Sequence, residues 1–224
     1  MKTLVIISHP DLVNSSSQRF LRDSVAHDES VTLHHLDSCY LDGKIDAAKE
    51  LALLKEHQRI IFQFPLYWYS SPALLKEWQD VVLSQGEGKL QGKEFGLVIT
   101  IGVAETAYRV GGKEGQTIDR LTAPYQSVAR YFGMNYLPNF CIYQFAYLTE
   151  EEQLTLVTDY HYYLTGPNSS ALKDRTKWLL GELEKSRARD LADPNQETLT
   201  YAQSHLLESY EEIAELDLTL AEFD

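Results

Sequence analysis

Three aromatic side chains, Tyr67, Trp68 and Tyr69, are separated by two residues from the end of an apolar run of the chain. The run, residues 59–64, has the continuous apolar content of a strand that is buried on both faces, and Pro65 ends it because proline has no N–H to donate. In open α/β sheets, ligands bind beyond the carboxyl ends of the strands. A flat aromatic ligand held against these side chains would explain the cluster. An ordinary aromatic cluster packed beneath a loop is the alternative.

A second candidate site lies between Ser8 and Gln18, after the first apolar run of the chain. The exposed N–H groups and the positive dipole end of a helix N-terminus bind phosphate groups, and Ser15, Ser16, Ser17 and Gln18 can donate hydrogen bonds around such a group. The segment is neither a glycine-rich phosphate loop nor a Rossmann fingerprint, which disfavours nucleoside triphosphates and a direct NAD site here. A serine run that only caps the helix is the alternative.

A third segment follows a later apolar run and carries Thr100, Gly102 and Tyr108. Gly102 would let the backbone approach a flat ring closely, and Gly111 with Gly112 permits a turn or a mobile flap. An exposed loop tyrosine without a role is the alternative for Tyr108. With the two preceding segments, this one completes a set of three loops that a single sheet edge would have to bring together.

Alternating strands and helices are predicted to position these loops. Apolar runs predict five strands, at residues 3–7, 31–36, 59–64, 95–101 and within 134–143. Apolar periodicity predicts four helices, at residues 18–25, 47–57, 73–83 and 118–132. Ser71 would cap the third helix with Pro72 at its first position, and Gly133 would end the fourth. This alternation predicts right-handed βαβ units and a parallel sheet.

The sequence beyond Gly166-Pro167-Asn168 predicts two further helices, at residues 171–189 and 197–223, separated by Asp193-Pro194-Asn195. Apolar residues of the second helix fall on a heptad stripe that only Ser209 interrupts: Leu199, Ala202, Leu206, Ile213, Leu216, Leu220 and Phe223. The apolar side chains of such a stripe must be buried against another surface. The chain's own domain, a dimer contact and a separate protein partner are the three alternatives.

The charge of the chain is unevenly distributed. The 224 residues carry a net charge of −13, and residues 190–224 hold ten acidic side chains and no lysine or arginine. The rest of the chain is therefore nearly neutral, at −3, and the balance argues against nucleic acid or anionic lipid as a partner. Cys39 and Cys141 lie in no metal-binding or redox spacing. The sequence thus predicts no metal site and a reduced, cytoplasmic protein without a membrane span.

The aromatic segment closely resembles one family. The following residues match, in order, the flavin-contacting loop of the flavodoxin-like NAD(P)H:quinone oxidoreductases: Phe64-Pro65-Leu66, Trp68, Pro72-Ala73-Leu74-Leu75-Lys76 and Trp78. Residues 121–126 and 131–138 are similar to the bacterial branch of that family and suggest an architectural role and a dimer face. The resemblance extends over about residues 1–164. It implies a flavodoxin-like α/β fold: a doubly wound, five-stranded parallel sheet of order 2-1-3-4-5 over residues 1–166, with an acidic helical extension at 167–224.

The resemblance also implies a bound flavin. FMN is favoured over FAD, which is the alternative, because the family-like region has no extra segment that offers an adenine pocket. The implied cofactor-binding residues are His9, Ser15, Ser16, Ser17, Gln18, Pro65, Leu66, Tyr67, Trp68, Tyr69, Thr100, Ile101, Gly102 and Tyr108. The first five would surround the phosphate, and the backbone of residues 66–69 would hold the flavin ring. Gln18 replaces the usual Asn of the family and Val103 replaces a common second glycine.

The candidate catalytic residues are Tyr108 and Glu114. Tyr108 would donate a hydrogen bond to a developing hydroquinone oxygen. Glu114 stands where mammalian-type quinone reductases place an active-site histidine, a departure from the pattern of those reductases.

The function that the resemblance implies is an oxidoreductase that takes hydride from NADPH or NADH and reduces a quinone or similar acceptor in ping-pong order, as a homodimer. The alternative is an ancillary regulatory subunit of a potassium efflux system, whose acidic tail would dock on a basic transporter surface. A one-electron flavodoxin carrier fits less well, because His9-Pro10 differs from the Thr/Ser-Gly-rich first loop of such carriers.

Overall fold

The computed structural model describes residues 1–189 and 196–221. The chain forms two compact units, Met1–Thr165 and Gly166–Asp224. Among the described helices, none combines the length and the apolar content that a membrane crossing requires.

The first unit is built on a parallel sheet. Its strands are β1 (Thr3–Ile7), β2 (Val31–His35), β3 (Arg59–Pro65), β4 (Glu94–Ile101), β5 (Asn135–Tyr136) and β6 (Phe140–Tyr143). The order is β2-β1-β3-β4-β5, with β6 also paired to β4, and this confirms the predicted order 2-1-3-4-5. Two short strands share the fifth position: β5 pairs with the beginning of β4 and β6 with its end. Pro138 lies between them and has no N–H for the sheet.

Six α-helices belong to this unit: α1 (Ser16–Ser24), α2 (Leu36–Cys39), α3 (Ala47–Glu56), α4 (Ala73–Trp78), α5 (Ile118–Phe132) and α6 (Glu150–Thr165). The sequence analysis predicts neither α2 nor α6. It places Leu36 in the second strand, whereas this residue begins α2.

Two further differences concern the helix after β3. Its predicted span, residues 73–83, is correct in extent, but Gln79–Leu83 is a π-helix that continues α4. The predicted cap at Ser71 is wrong, because Pro72 has an extended backbone with ψ 149° and no side chain caps α4. Gly133 ends α5 as predicted, in the left-handed conformation with φ 66°.

The residues of β3 alternate between the two faces of the sheet. Phe62 belongs to the core beneath α2 to α5, and Ile61 to the core beneath α1 and α6. The first of these cores is rich in aromatic rings: Phe62 packs edge-on against Trp78 and Phe95, with ring centroids 5.5 and 4.8 Å apart. Because helices cover both faces, all of β3 is buried, as the sequence predicts. This rigid strand fixes the point from which the aromatic segment leaves the sheet.

The second unit contains two helices that pack together, α7 (Leu172–Arg189) and α8 (Gln196–Ala221). Among the side chains of α8 that the structure describes, the half-buried ones are Gln196, Leu199, Ala202, Gln203, Leu206, Tyr210, Ile213 and Ala214. On the covered face, Tyr210 occupies the position that the predicted stripe assigned to Ser209. Leu216 does not belong to the covered face, because its side chain is 63% exposed. The covered face drifts relative to a strict heptad because an α-helix has 3.6 residues per turn. The side chain of Leu220, residue Phe223 and the predicted break at 193–195 lie outside the described residues.

Candidate functional site

Three loops leave the carboxyl ends of three neighbouring strands. We call residues 8–15 the first loop, residues 66–71 the aromatic loop and residues 102–117 the third loop; they follow β1, β3 and β4. Since β3 pairs in parallel with both β1 and β4, all three loops lie at one edge of the sheet. The structure thus places together the segments that the sequence analysis selected.

The beginning of the first loop is held by neighbouring elements. Oδ2 of Asp37, on α2, accepts hydrogen bonds from the N–H of His9 at 2.9 Å and from Oγ of Ser8 at 3.3 Å. Nε2 of His35 lies 2.9 Å from the carbonyl oxygen of His9, and the N–H of Ser8 donates to the carbonyl of Gln63 at 3.0 Å. The loop is therefore fixed by β2, α2 and β3 before any ligand is considered.

The ring of His9 faces the aromatic loop. Its Nδ1 accepts a hydrogen bond from the N–H of Asp11 at 3.0 Å, so the neutral ring carries its proton on Nε2. Nε2 lies 3.4 Å from the hydroxyl of Tyr67. Burial lowers the pKa of His9, although Asp37 and Asp11 act in the opposite direction. Near neutral pH, His9 is thus an uncharged donor at the junction of two loops.

The N-terminus of α1 lies at the end of the first loop. Ser15 is its N-cap, and Oγ of Ser15 accepts from the N–H of Gln18 at 3.4 Å. The first turn of α1 contains no acidic residue, and the first N–H groups of any helix have no acceptor within it. Ser16 and Ser17 therefore present N–H groups and hydroxyls where an anion would be favoured. Capping by Ser15 is compatible with this arrangement.

Gln18 does not face the loop. Its side chain is fully buried, where Nε2 donates to Oγ1 of Thr100 at 3.1 Å and Oε1 accepts from Nε2 of Gln63 at 2.8 Å. The hydroxyl of Tyr160 completes the network by donating to Oε1 of Gln63 at 2.6 Å. The expected donation from the Gln18 side chain to a phosphate is therefore wrong. Gln18 instead joins α1 to β3, β4 and α6 beneath the loops.

The aromatic loop closes on itself in a tight turn. The N–H of Tyr67 donates to the carbonyl of Ser70 at 2.9 Å, and the N–H of Ser70 donates back at 3.0 Å. The two central residues, Trp68 and Tyr69, have φ of 47° and 64°. Positive φ at both positions defines a turn that normally uses glycine or asparagine. Two aromatic residues are thus held in a backbone conformation that they seldom adopt.

The aromatic loop leaves its rings in solvent. Trp68 is 94% exposed, and Tyr67 and Tyr69 are 43% and 46% exposed. The rings lie outside both cores of the first unit. The alternative of an ordinary cluster packed beneath a loop therefore does not describe this segment. Leu66 joins the loop to β4, because its N–H donates to the carbonyl of Thr100 at 3.0 Å.

The remaining predicted contacts lie at the strand ends. Pro65, Thr100 and Ile101 are buried, and the carbonyl of Ile101 accepts from the N–H of Gln144 at 2.7 Å. Gly102 is exposed, and an added Cβ there would meet no atom within 4 Å. Of these four residues, Gly102 offers the open backbone surface.

Glu114 joins the third loop to the aromatic loop. Its Oε2 accepts a hydrogen bond from the hydroxyl of Tyr69 at 2.8 Å, and this bond raises the pKa of Tyr69. Tyr108 is only 8% exposed, and burial followed by the charge of Glu114 raises its pKa. Tyr108 therefore packs against the core instead of being exposed, and both tyrosines keep their protons near neutral pH.

The side chains that support the loops were not predicted from the sequence: Asp37, His35, Gln63 and Tyr160. A signal for two of them was present. The predicted second strand ends at His35 and Leu36 and lies beside the predicted first strand. Because parallel neighbouring strands end at the same edge of the sheet, polar residues at this strand end are expected near the first loop.

The profile of the family described as "Flavodoxin-like fold" matches residues 1–162. An uncharacterised NAD(P)H oxidoreductase of Bacillus subtilis, YrkL, is 44% identical over 158 residues, which cover 68% of this chain and 91% of that protein. The potassium-efflux ancillary protein KefG of Serratia proteamaculans is 41% identical over 148 residues, 63% of this chain and 81% of that protein.

Two solved structures are also similar. An NADPH-quinone reductase from P. pentosaceus has 37% identity and a TM-score of 0.69, covering 74% of this chain and 98% of that one. General stress protein 14 of Treponema denticola, solved in complex with FMN, has 31% identity and a TM-score of 0.67, covering 73% and 98%.

Proposed function

The chain belongs to the flavodoxin-like fold family, and from this premise we propose that it is an FMN-dependent NAD(P)H oxidoreductase that reduces quinones or similar electron-poor acceptors. The observation that best supports this proposal is the aromatic loop, whose exposed rings stand on a left-handed turn. At the ends of the neighbouring strands lie the N-terminus of α1 on one side and Gly102 on the other. The names of the relatives agree with it, since they include an NAD(P)H oxidoreductase, an NADPH-quinone reductase and a protein solved with FMN.

The donor set suits FMN. Ser16, Ser17 and the Nε2–H of His9 would surround the phosphate, whose charge the N-terminus of α1 favours. In the turn, the backbone hydrogen bonds join Tyr67 and Ser70, and the N–H groups of Trp68 and Tyr69 would donate to the ring heteroatoms of a flavin. FMN is preferred to FAD because the similar protein of T. denticola holds FMN.

When bound, the flavin would supply the redox chemistry, accepting hydride from NADPH or NADH and releasing two electrons to the acceptor. The protein's part is alignment, which contributes about 7 kcal/mol or more in favourable cases. Because the aromatic loop stands open to solvent, donor and acceptor would use the same exposed side in turn, and this gives ping-pong kinetics.

The proposed catalytic residues are Tyr108 and Glu114. Tyr108, kept protonated by burial, would donate a hydrogen bond to the oxygen of the acceptor as negative charge develops there. Glu114 would hold the aromatic loop in place by accepting the hydrogen bond from the hydroxyl of Tyr69. If Tyr108→Phe leaves acceptor turnover unchanged at saturating NADPH, its role is withdrawn.

The direct experiment begins with the purified full chain. Its visible spectrum is recorded, the flavin is released and identified, and NADPH or NADH is added without oxygen. We expect bleaching near the flavin maximum that a soluble benzoquinone reverses. A protein that binds no flavin when supplied with FMN and FAD would contradict the proposal. Bound flavin that neither nucleotide bleaches would contradict the enzymatic part alone.

A second role, as an ancillary protein of a potassium efflux system, is favoured by the 41% identity to KefG. The partner would be a transporter with a basic cytoplasmic surface, and α8 would contact it because Glu208, Glu211, Glu212 and Glu215 are exposed on that helix. We expect co-purification with such a transporter at low salt, lost when these glutamates are changed to glutamine. NADPH oxidation should not change in that variant.

The proposed assembly is a homodimer in the cytoplasm. Light scattering of the purified chain tests whether it is a dimer.

A further inference from the structure

A cysteine, a histidine and a glutamate form a connected cluster outside the proposed flavin site. Cys39 ends α2 and is exposed. Its Sγ lies 3.8 Å from Nδ1 of His34, on β2. The other ring nitrogen of His34, Nε2, lies 2.9 and 3.0 Å from the two carboxylate oxygens of Glu50, on α3. The three side chains thus run in sequence from the surface into the core.

Glu50 is held as a carboxylate inside the core. Its side chain has no exposed surface, and that of His34 is 10% exposed. Nε1 of Trp78 donates to Glu50 at 2.8 Å, and the hydroxyl of Tyr40 donates to its other oxygen. Burial alone would raise the pKa of Glu50, but the hydrogen bonds from His34, Tyr40 and Trp78 outweigh it and lower the pKa. A buried, ionised carboxylate is therefore available to one side of the His34 ring.

This geometry sets the proton positions. A carboxylate at Nε2 keeps the proton of the neutral ring on Nε2, so Nδ1 presents its lone pair to the thiol of Cys39. If Nδ1 takes the thiol proton, the resulting imidazolium lies against the charge of Glu50, which stabilises it. Nucleophile, base and orienting acid in this order are the arrangement that activates thiols in cysteine-dependent enzymes.

We propose that Cys39 is a reactive thiol that forms mixed disulfides with low-molecular-weight disulfides, with His34 as its base and Glu50 as the residue that orients His34. In the reaction, the proton of Cys39 passes to Nδ1 and Sγ attacks one sulfur of the disulfide. The disulfide's S–S bond breaks as the new one forms, and the departing thiolate takes the proton from His34. One disulfide is consumed and one thiol is released, so no other oxidant is needed.

The second cysteine of the chain is a built-in comparison. Cys141 is partly buried on β6, and burial raises the pKa of its thiol to about 11. A thiol of that kind is mostly protonated near neutral pH and reacts slowly. The site is therefore specific to one of the two cysteines.

The test uses the full chain and glutathione disulfide as the probe, with mass spectrometry to locate the adduct and to time its formation at several pH values. The variants are Cys39→Ser, Cys141→Ser and His34→Gln. Glutamine can still donate to Glu50 but offers no base at Nδ1. We expect the adduct on Cys39 alone, with Cys141→Ser reacting like the natural chain and His34→Gln reacting at least about tenfold more slowly.

The pH dependence of the rate of adduct formation shows whether His34 acts as a base or only supports the structure. Among the described residues, Glu50 on α3 is hydrogen-bonded to His34, and Tyr40, which follows α2, lies close to Cys39. The midpoint of the rate profile should move to higher pH in His34→Gln, whose melting temperature is measured alongside. Equal rates in that variant and the natural chain, or modification of Cys141 before Cys39, would overturn the proposal.

Discussion

The first loop and the aromatic loop follow neighbouring parallel strands, yet the protein holds them by opposite means. Side chains from other elements fix the first loop, as Asp37 and His35 bind the backbone around His9. The aromatic loop receives few such bonds and is closed by its own two-residue turn between Tyr67 and Ser70. One loop is ordered by its surroundings and the other by a strained local conformation.

This difference indicates a division of labour in the binding of a ligand. The first loop presents fixed donors that would suit the phosphate of FMN, whose position must be reproducible. The aromatic loop keeps unusual backbone at Trp68 and Tyr69, a cost of about 1–3 kcal/mol per residue, and such strain clusters at ligand sites. The three exposed rings belong to neither core, which is why we propose that they contact the bound flavin.

The largest effect should follow from releasing the first loop. Asp37→Ala leaves the N–H of His9 and Oγ of Ser8 without their acceptor, at a cost of about 1–3 kcal/mol. We expect FMN to bind about 10- to 100-fold more weakly in calorimetric titration, with riboflavin binding little changed. Asp37→Asn keeps one carbonyl acceptor and should recover most of the affinity. If both variants bind FMN like the natural chain, the first loop does not position the phosphate.

A smaller effect should follow from relieving the aromatic turn. Trp68→Gly removes an unfavourable left-handed conformation and should raise the free energy of unfolding by about 1 kcal/mol. It should also weaken FMN and riboflavin equally, by about 3- to 10-fold, because an aromatic contact contributes about 0.5–1.5 kcal/mol. Stability is measured by urea unfolding, and affinity by fluorescence quenching.

The matched control is Tyr131→Ala, which removes another exposed aromatic side chain, on α5. It should leave the affinity for both flavins unchanged. Equal losses in the two variants would mean that exposed rings in general, and not the aromatic turn, affect binding.

A still smaller effect should follow from removing the hydrogen bond that joins the aromatic loop to the third loop. Tyr69→Phe deletes the 2.8 Å hydrogen bond to Glu114, which in water contributes about 0.5–1 kcal/mol. We expect a rise of about two- to fivefold in the KM for the quinone, with FMN binding unchanged. Glu114→Gln retains an acceptor and should differ less from the natural chain. A larger effect of Glu114→Gln than of Tyr69→Phe would instead favour a direct role for the charge.

The smallest predicted effect is the change in melting temperature that accompanies protonation of His9. Burial lowers its pKa from the 6.5 of an unfolded histidine, so the unfolded chain binds more protons below that pH. Its contribution to stability is therefore complete above pH 6.5 and is lost as the pH falls towards the lowered pKa. We expect the drop in melting temperature between pH 7 and pH 5 to be smaller in His9→Gln by up to about 2 °C. An equal drop in His9→Gln and in the natural chain would contradict this expectation.

The sequence predicts the frame of the first unit well, for identifiable reasons. Strands buried on both faces, such as β3, give continuous apolar runs. Gly133 marks the end of α5 because the left-handed backbone at that helix end is one that glycine adopts without strain. The α2 helix has only four residues, too few for a periodic pattern, and α6 begins with three glutamates that obscure its apolar face. The π-helix after α4 depends on packing, which periodicity does not encode.

The loops of the candidate site were predictable, whereas its buried supports were not. Residues 66–71 carry a local aromatic pattern that points to a ligand. The burial of Gln18 depends on Thr100 and Gln63, which are distant in sequence and meet only in the folded sheet. The left-handed turn at Trp68 could not be foreseen, because neither tryptophan nor tyrosine favours it.

The central claim is that one sheet edge holds the phosphate of FMN on the first loop and its ring on the aromatic loop. The most direct test compares the dissociation constants of FMN and riboflavin for the natural chain and for Asp37→Ala. We expect FMN to bind at least about 100-fold more tightly than riboflavin to the natural chain, which corresponds to about 2.7 kcal/mol, and this ratio to shrink at least tenfold in the variant. Equal affinity for the two flavins, or a ratio that the variant leaves unchanged, would contradict the account.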